Sequence, residues 1–446
     1  MKALLLNPAV DECGVPHYGL AMLAGVLKLS GHQVRVADYH YSCLTPSIEA
    51  ILEEFEPEVV GISMFSVTKA ATNEIIHFIR QRYADIPIVC GGPHIACYYE
   101  DMVEDQRLDY IVIGEAEDSI SDIVDRAKRE THPQVIRCQY PDINNLPLPD
   151  FTSFYRHEEL RIYPLITSRG CPYGCTFCAV RIVNSRKWRH RAVSDCIEEL
   201  RTAKDILPAL KEIVIWDDMF NLVLERGKAV LRSLIESHIG LRLCNANFRA
   251  DRVDDEMMTL LKEAGVEIVQ LGAEHGDPEV FNFTNKGESL EDIRQAARLV
   301  KKHGMKLYLS FIVGLPGDNI HRTLKSIRFA RSLNADRCLW NILVPYRGTA
   351  VYDWFIKKGR VDDSHIAYTL PNGRYNMAPN ADAPDFTAEE RLIAHRIAQI
   401  LTENLGLRGN LGFIFLQALK HGLLPDLLAL VAQKLVRRLP LNRAGS

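Results

Sequence analysis

The chain has 446 residues, too many for one ordinary domain and enough for two or three with separate cores. Apolar residues make up 47% and charged residues 25%, and 53 Lys and Arg nearly balance 57 Asp and Glu. This is ordinary globular composition, and it excludes a bulk electrostatic attraction to nucleic acid.

The 11 cysteines are odd in number and scattered. That argues against a disulfide framework and for a reducing, cytoplasmic setting. Eight of them read as ordinary buried residues, and the three between 171 and 178 require a further account. The N-terminal MKALLLNPAVDECG has an apolar run that Asp11 and Glu12 end early, so it reads as a first strand rather than a signal peptide.

Along the first ~140 residues, strand and helix patterns alternate. Strands are expected at Ala3–Asn7, Gln33–Asp38, Val59–Met64, Pro87–Cys90 and Tyr110–Ile113. Helices are expected from about Tyr18 to Leu29 and through Ile75, Ile76 and Ile79. Such alternation implies an α/β fold with a doubly wound, Rossmann-like parallel sheet, which binds ligands at the carboxyl ends of its strands. Asn7 and Pro8, Ser63 and Phe65, Gly91-Gly92-Pro93-His94 and Gly114-Glu115 occupy those ends. A His placed after Gly-Gly-Pro more often caps a helix or bonds a carbonyl than ligates a metal.

Residues 139–165 carry Pro141, Pro147, Pro149 and Pro164 with little periodicity, the pattern of a linker. A second alternation follows, with strands at Leu165–Ser168, Ile213–Trp216, Arg242–Ala246, Glu267–Leu271, Lys306–Val313 and Arg337–Val344. Six βα units are fewer than the eight of a closed barrel, so a partial (β/α)6 barrel is expected. From Thr387 a helical C-terminal extension begins. Its stretch Leu411–Leu439 is strongly apolar but interrupted by Lys420, His421, Pro425 and Asp426, and it ends in Lys434, Arg437 and Arg438. It is too interrupted for a membrane span. Contact of 411–439 with a membrane surface and simple packing over a domain face both remain open, and base rates favour packing. The expected organisation is a Rossmann domain at 1–138, a linker at 139–163, a partial barrel at 164–360 and a helical extension at 361–446.

The segment Thr167-Ser168-Arg169-Gly170-Cys171-Pro172-Tyr173-Gly174-Cys175-Thr176-Phe177-Cys178 directly follows an apolar strand. Three thiolates within eight residues suit a soft-metal site, and on an iron–sulfur cubane they leave one iron open to substrate. A structural zinc site needs a second ligand pair at suitable spacing, and none follows. A redox pair formed by Cys175 and Cys178 leaves Cys171 without a role.

CxxxCxxC after the first barrel strand, with the aromatic Phe177 before the last cysteine, resembles the signature of the radical S-adenosylmethionine (SAM) superfamily. The resemblance implies a [4Fe–4S] cluster on Cys171, Cys175 and Cys178. It also implies SAM contacts at successive strand ends. These are Phe177 in the cluster loop, Asp217 and Asp218 toward the methionine amine, Arg249, Glu274 toward the ribose, Gly314 near the adenine, and Pro345.

Residues 1–135 are similar to the cobalamin-binding domain that precedes the radical domain in one large subclass. The features that match are Pro8, Tyr18-Gly19-Leu20, Val89-Cys90-Gly91-Gly92-Pro93-His94 and Val112-Ile113-Gly114-Glu115-Ala116-Glu117. The implied cobalamin contacts are Asn7, Pro8, Tyr18, Ser63, Phe65, Gly91, Gly92, Pro93, His94, Gly114 and Glu115. One departure stands out. No DxHxxG motif follows the first strand, and Asp38-x-His40 follows the second, so the lower face of cobalt falls to another group or to solvent.

The resemblance further implies reductive cleavage of SAM, hydrogen abstraction from substrate and methyl donation by cobalamin. The activity is then C-methylation of a small or lipid-linked metabolite, with a flavodoxin or ferredoxin as electron donor. The alternatives are radical cyclisation or rearrangement within the same superfamily and, more remotely, a non-catalytic zinc or redox module. An RNA substrate is not expected, because neither a further cysteine cluster nor a basic RNA-binding domain is evident.

Overall fold

The computed structural model describes residues 1–9, 14–364, 366, 379–402 and 410–436. The chain divides into two compact units. The first comprises residues 1–173, 178–247 and 255–267, and the second comprises 174–177, 248–254 and 268–446.

The first unit opens on six parallel strands: β1 (Lys2–Asn7), β2 (Gln33–Asp38), β3 (Val59–Ser63), β4 (Ile88–Gly91), β5 (Tyr110–Ile113) and β6 (Gln134–Arg137), in the order β2-β1-β3-β4-β5-β6. Leu4, Leu6, Val60, Ile62, Ile88, Cys90 and Ile111 are buried in its core. A sheet covered on both faces needs such continuous apolar runs, which is why five of these strands are legible in the sequence. β6 is not: Gln134–Arg137 lies at the sheet's edge and is mostly exposed, so it carries no apolar run.

The proline-rich stretch is packed rather than extended. Asp150 N–H donates to Ala21 O at 2.8 Å, Phe151 and Phe154 are buried, and Phe154 pairs with Val36 at the sheet's outer strand. A second, three-stranded parallel sheet follows: β7 (Ile162–Leu165), β8 (Glu212–Ile215) and β9 (Arg242–Asn245), in the order β9-β8-β7. β7 begins three residues earlier than the sequence suggests, because the backbone admits Pro164 within the strand.

The second unit holds another parallel sheet of β10 (Ile268–Glu274), β11 (Lys306–Val313) and β12 (Arg337–Ile342), with β11 central. The helix Leu290–Lys302 between β10 and β11 starts in a capping box. Ser289 Oγ accepts the Asp292 N–H at 3.1 Å, and the Asp292 carboxylate accepts the Ser289 N–H at 2.7 Å.

The C-terminal extension contains the helices Ala388–Thr402, Leu411–Lys420 and Leu424–Val436. The apolar stretch beyond Leu411 is thus two helices, separated by a turn at His421–Leu423. Arg437, Arg438 and Leu439 lie outside the described residues. No helix among the described residues is long and apolar enough to cross a membrane.

The helix Ala388–Thr402 buries His395, whose Nε2 pairs with Trp340 O at 3.0 Å. Desolvation lowers its pKa to about 4. The fold therefore accommodates the neutral ring and penalises the cation. The resulting stabilisation is complete above the unfolded pKa of ~6.5 and is lost as pH falls from there to about 4, a total of roughly 3 kcal/mol. Chemical denaturation across this window should show the midpoint falling with pH in the wild type. His395→Gln should be less stable at pH ~8 and should lose most of that slope. A variant profile parallel to the wild type would remove His395 as its source.

Candidate functional site

The strand order of the first sheet reverses between β1 and β3, and a crevice opens at such a switch point. A cavity of about 250 Å3 lies there, within the first unit. Leu5 and Gly61 form part of its wall, and a Cβ on Gly61 would come within 2.8 Å of Leu5 Cδ2. Of the residues expected to touch a ligand, Tyr18, Ser63, Phe65, Gly91, Gly92, Pro93, Gly114 and Glu115 line this cavity.

Asn7, Pro8 and His94 are not among the lining residues. Asn7 is buried and donates to Asp38 Oδ1 at 2.7 Å, tying β1 to β2. His94 is buried, stacks on Tyr98 at 4.8 Å and pairs through Nδ1 with Ser66 Oγ at 3.0 Å.

Two glycines are dictated by backbone geometry. Gly92 has φ +100°, and a Cβ there would come within 2.8 Å of Met64 N. Gly114 has φ +97°, and a Cβ would come within 2.7 Å of Cys138 O. Both positions demand glycine for the turn itself, whatever ligand the cavity takes.

His17 lines the cavity and was not singled out in the sequence, although it immediately precedes the first helix. Its Nδ1 accepts the Leu20 N–H at 3.2 Å, which assigns the proton to Nε2. Nε2 then donates to Ser63 Oγ at 3.0 Å. Burial lowers the His17 pKa against the opposing pull of Asp38, so the ring sits in the cavity wall as a neutral donor.

The other wall of the cavity includes Ser168, Arg169 and Asp218, the surroundings of the residues that lead into Cys171. Asp217 and Asp218 follow β8. Asp217 is buried and accepts from Thr167 N, Thr167 Oγ1 and Ser168 Oγ, each at 2.6 Å. Asp218 accepts from Gly170 N at 2.8 Å and from Asn184 Nδ2 at 2.9 Å. Burial raises both carboxyl pKa values, and these hydrogen bonds pull them back down.

Arg169 is gripped by Glu115 and Glu117 at 2.6 Å each, and Arg189 also pairs with Glu115. Burial opposes the Arg169 charge, but the two carboxylates outweigh it and raise its pKa. The pairing of Arg169 and Arg189 with Glu115 and Glu117 is not legible in the sequence, because each pair is separated by 50 or more residues.

Cys171, Cys175 and Cys178 are partly exposed and form no disulfide. Among the described residues, no three His, Cys, Asp or Glu side chains are grouped as a metal site. The remaining cysteines differ in character. Cys90 and Cys196 are buried, and desolvation pushes each thiol up to about 12. Cys43 is exposed and Cys97, Cys138 and Cys244 are partly so, which corrects the expectation that all eight are buried. Cys13 lies outside the described residues.

Segment 174–177 belongs to the second unit. Thr176 anchors it, with N–H to Thr284 O at 2.9 Å and Oγ1 to Phe283 O at 3.0 Å. Phe177 packs against a core that contains Val280, Leu315, Leu343 and Phe355.

Glu274, at the end of β10, has φ +53°, a strained conformation for a non-glycine residue. It pairs with Lys286 at 3.0 Å, and Lys286 with Glu288 at 3.1 Å. Arg249 donates to Lys286 O at 2.7 Å and to Asp251 at 2.8 Å. Arg249 and Glu274 therefore belong to one alternating chain of charges. Gly314, at φ +95°, admits the buried Arg391, whose Cδ lies 2.8 Å from where a Cβ would stand. Pro345 is buried beyond β12.

Residues 165–330 match the radical SAM superfamily model, and residues 10–124 match the B12-binding domain model. An uncharacterized methyltransferase of Pyrococcus horikoshii is 27% identical, over 80% of this chain and 83% of its own length. An anaerobic magnesium-protoporphyrin IX monomethyl ester cyclase of Synechocystis is 23% identical, over 79% of this chain and 77% of its own. The solved structure of the radical SAM methyltransferase TsrM from Kitasatospora setae, with cobalamin and a [4Fe–4S] cluster bound, superposes with a TM-score of 0.63. It covers 80% of this chain and 74% of TsrM at 20% identity, and it shares the fold: a parallel α/β sheet, then a partial barrel. The two matched domains make the chain an enzyme whose cofactors are SAM, a [4Fe–4S] cluster and cobalamin. The chain belongs to the radical SAM superfamily, in the subclass that carries a cobalamin-binding domain ahead of the radical domain.

Proposed function

We propose that the protein is a cobalamin-dependent radical SAM C-methyltransferase acting on a small or lipid-linked metabolite. One observation carries this reading. The cavity at the switch point of the first sheet is bounded on its other side by Ser168, Arg169 and Asp218, beside the cluster loop. When bound, the three cofactors supply a one-electron cleavage of SAM and a transferable methyl group.

In this reading Cys171, Cys175 and Cys178 are the cluster ligands. Asp217 and Asp218 position their loop through Thr167, Ser168, Gly170 and Asn184. Arg249 and Glu274 serve SAM, together with Phe177, Gly314 and Pro345 as structural supports of the same strand ends. The cavity beside Gly61, lined also by Ser63 and by the glycines of the strand ends, would take the cobalamin, since glycine lets a ligand approach the backbone closely. His17 serves as a hydrogen-bond donor rather than a cobalt ligand, because Nδ1 is committed to the Leu20 N–H and Nε2 carries the proton. Electrons come from a flavodoxin or ferredoxin. The cyclase among the relatives keeps radical cyclisation as the second reading.

Anaerobic reconstitution should give about four iron and four sulfide per chain. Cys171→Ala, Cys175→Ala and Cys178→Ala should each lose the cluster, whereas Cys90→Ala and Cys196→Ala should keep it. Iron content that depends on Cys90 or Cys196 would overturn the ligand set.

Under reducing conditions with cobalamin, a methyltransferase should convert SAM both to 5′-deoxyadenosine and to S-adenosylhomocysteine, since methyl donation leaves the latter behind. Formation of 5′-deoxyadenosine alone would favour the cyclase reading. The wild type should bind hydroxocobalamin about one to one. Ala96→Phe, which fills the cavity from a helical position, should weaken this binding by about tenfold or more without changing iron content. A wild type that stays colourless at saturating hydroxocobalamin would sink the cobalamin assignment.

A further inference from the structure

The helices beyond residue 410 present an apolar surface that the proposed chemistry does not use. Five of the fifteen large apolar side chains exposed among the described residues fall between 411 and 428: Leu411, Phe415, Leu416, Leu419 and Leu428. On the helix Leu411–Lys420, positions 411, 415 and 419 recur every four residues and share one side with 416. These four are between 47% and 64% exposed. Ile414 and Ala418, on the side that flanks the stripe at Leu411, are buried. The helix already packs through that side, so it cannot turn to hide the exposed stripe. A contiguous exposed apolar stripe of this kind marks an interaction surface.

Charge identifies the occupant. From Leu411 to the last residue the sequence has five basic residues, Lys420, Lys434, Arg437, Arg438 and Arg443, against one acidic residue, Asp426. The chain as a whole carries a net charge of −4. The positive charge is therefore a local feature that accompanies the apolar stripe. Lys420, on the stripe's own helix, is exposed and lies 3.7 Å from the exposed Glu389. Among the described residues, neither helix is long and apolar enough to cross a bilayer. An apolar stripe that ends in Lys420, on a helix too short to span and followed in sequence by further basic residues, is the pattern of a helix that lies in the plane of an anionic lipid surface.

We propose that the helix Leu411–Lys420 docks on an anionic membrane surface, with Leu411, Phe415, Leu416 and Leu419 among the acyl chains and Lys420 against the headgroups. This stands apart from the methyl-transfer reading and would hold for a cyclase equally.

Flotation of the full-length, cluster-reconstituted chain with lipid vesicles tests it. The wild type should float with phosphatidylcholine vesicles containing about one third phosphatidylglycerol, and about tenfold less with pure phosphatidylcholine. The double variant Phe415→Glu, Leu419→Glu should lose about tenfold or more of the partitioning while keeping its iron content and melting temperature. Lys420→Glu, which leaves the stripe intact, should weaken flotation on the anionic vesicles by about fivefold. A wild type that stays unbound with anionic vesicles, or a double variant that floats equally well, would overturn the proposal. So would a wild type that sediments as a dimer, fails to float and is made monomeric by the double variant, since a second copy of the chain would then cover the stripe.

Discussion

Two adjacent aspartates constrain everything around the cysteine loop. In the parallel pair β7–β8, Leu165 stands opposite Ile215, and Trp216 N–H continues the ladder to Leu165 O at 2.8 Å. The chain beyond β8 therefore runs alongside the chain beyond β7. Successive side chains leave an extended segment on opposite sides. Asp217 can then reach Thr167 and Ser168 while Asp218 reaches Gly170 and Asn184. Burying two carboxylates side by side is costly, as their raised pKa values record, and it is tolerated because their oxygens meet donors. The same bonds satisfy backbone N–H groups of an irregular segment, which a loop entering a metal site otherwise leaves exposed.

The cavity inherits this order. Arg169 sits between Ser168 and Gly170, both held by the aspartates, and its guanidinium is closed by Glu115 and Glu117 from the turn after β5. Arg189 makes the second cation on Glu115. Two carboxylates and two guanidinium groups give the cluster no net charge. A buried ion-pair network is weak evidence for stability, because desolvation offsets most of its attraction. Its effect is geometric: it admits one mutual placement of the turn after β5 and the approach to Cys171.

What the sequence made legible follows from range. Apolar runs reveal buried strands, because the pattern is local, and five strands of the first sheet were read this way. β6, exposed at the edge, offered no such run. The cysteine spacing and the glycines at strand ends are local as well. The partners of Arg169 are not, since 54 residues separate it from Glu115 and no local pattern records the pairing. The stretch around Pro147 and Pro149 looked like a spacer because it lacks periodicity, yet Phe151 and Phe154 are buried. Proline shapes a packed segment as readily as a loose one.

Motif positions mix residues that meet a ligand with residues that hold the chain in place, and burial with partner atoms separates the two. Phe177 packs in an apolar core, and Gly314 clears room for Arg391. His94, the histidine that the glycine-rich turn brings to notice, is buried on Tyr98 and is not in the cavity lining. His17, which no motif marks, is in that lining. A ring nitrogen can ligate a metal only through a free lone pair. His17 has one lone pair, on Nδ1, and the first helix uses it as its N-terminal cap. Freeing it would uncap that helix, at a cost of about 1 kcal/mol, and would move the proton away from Ser63. The helix that begins at Tyr18 thus sets the protonation of the cavity wall, and a local folding requirement decides what chemistry that wall can offer.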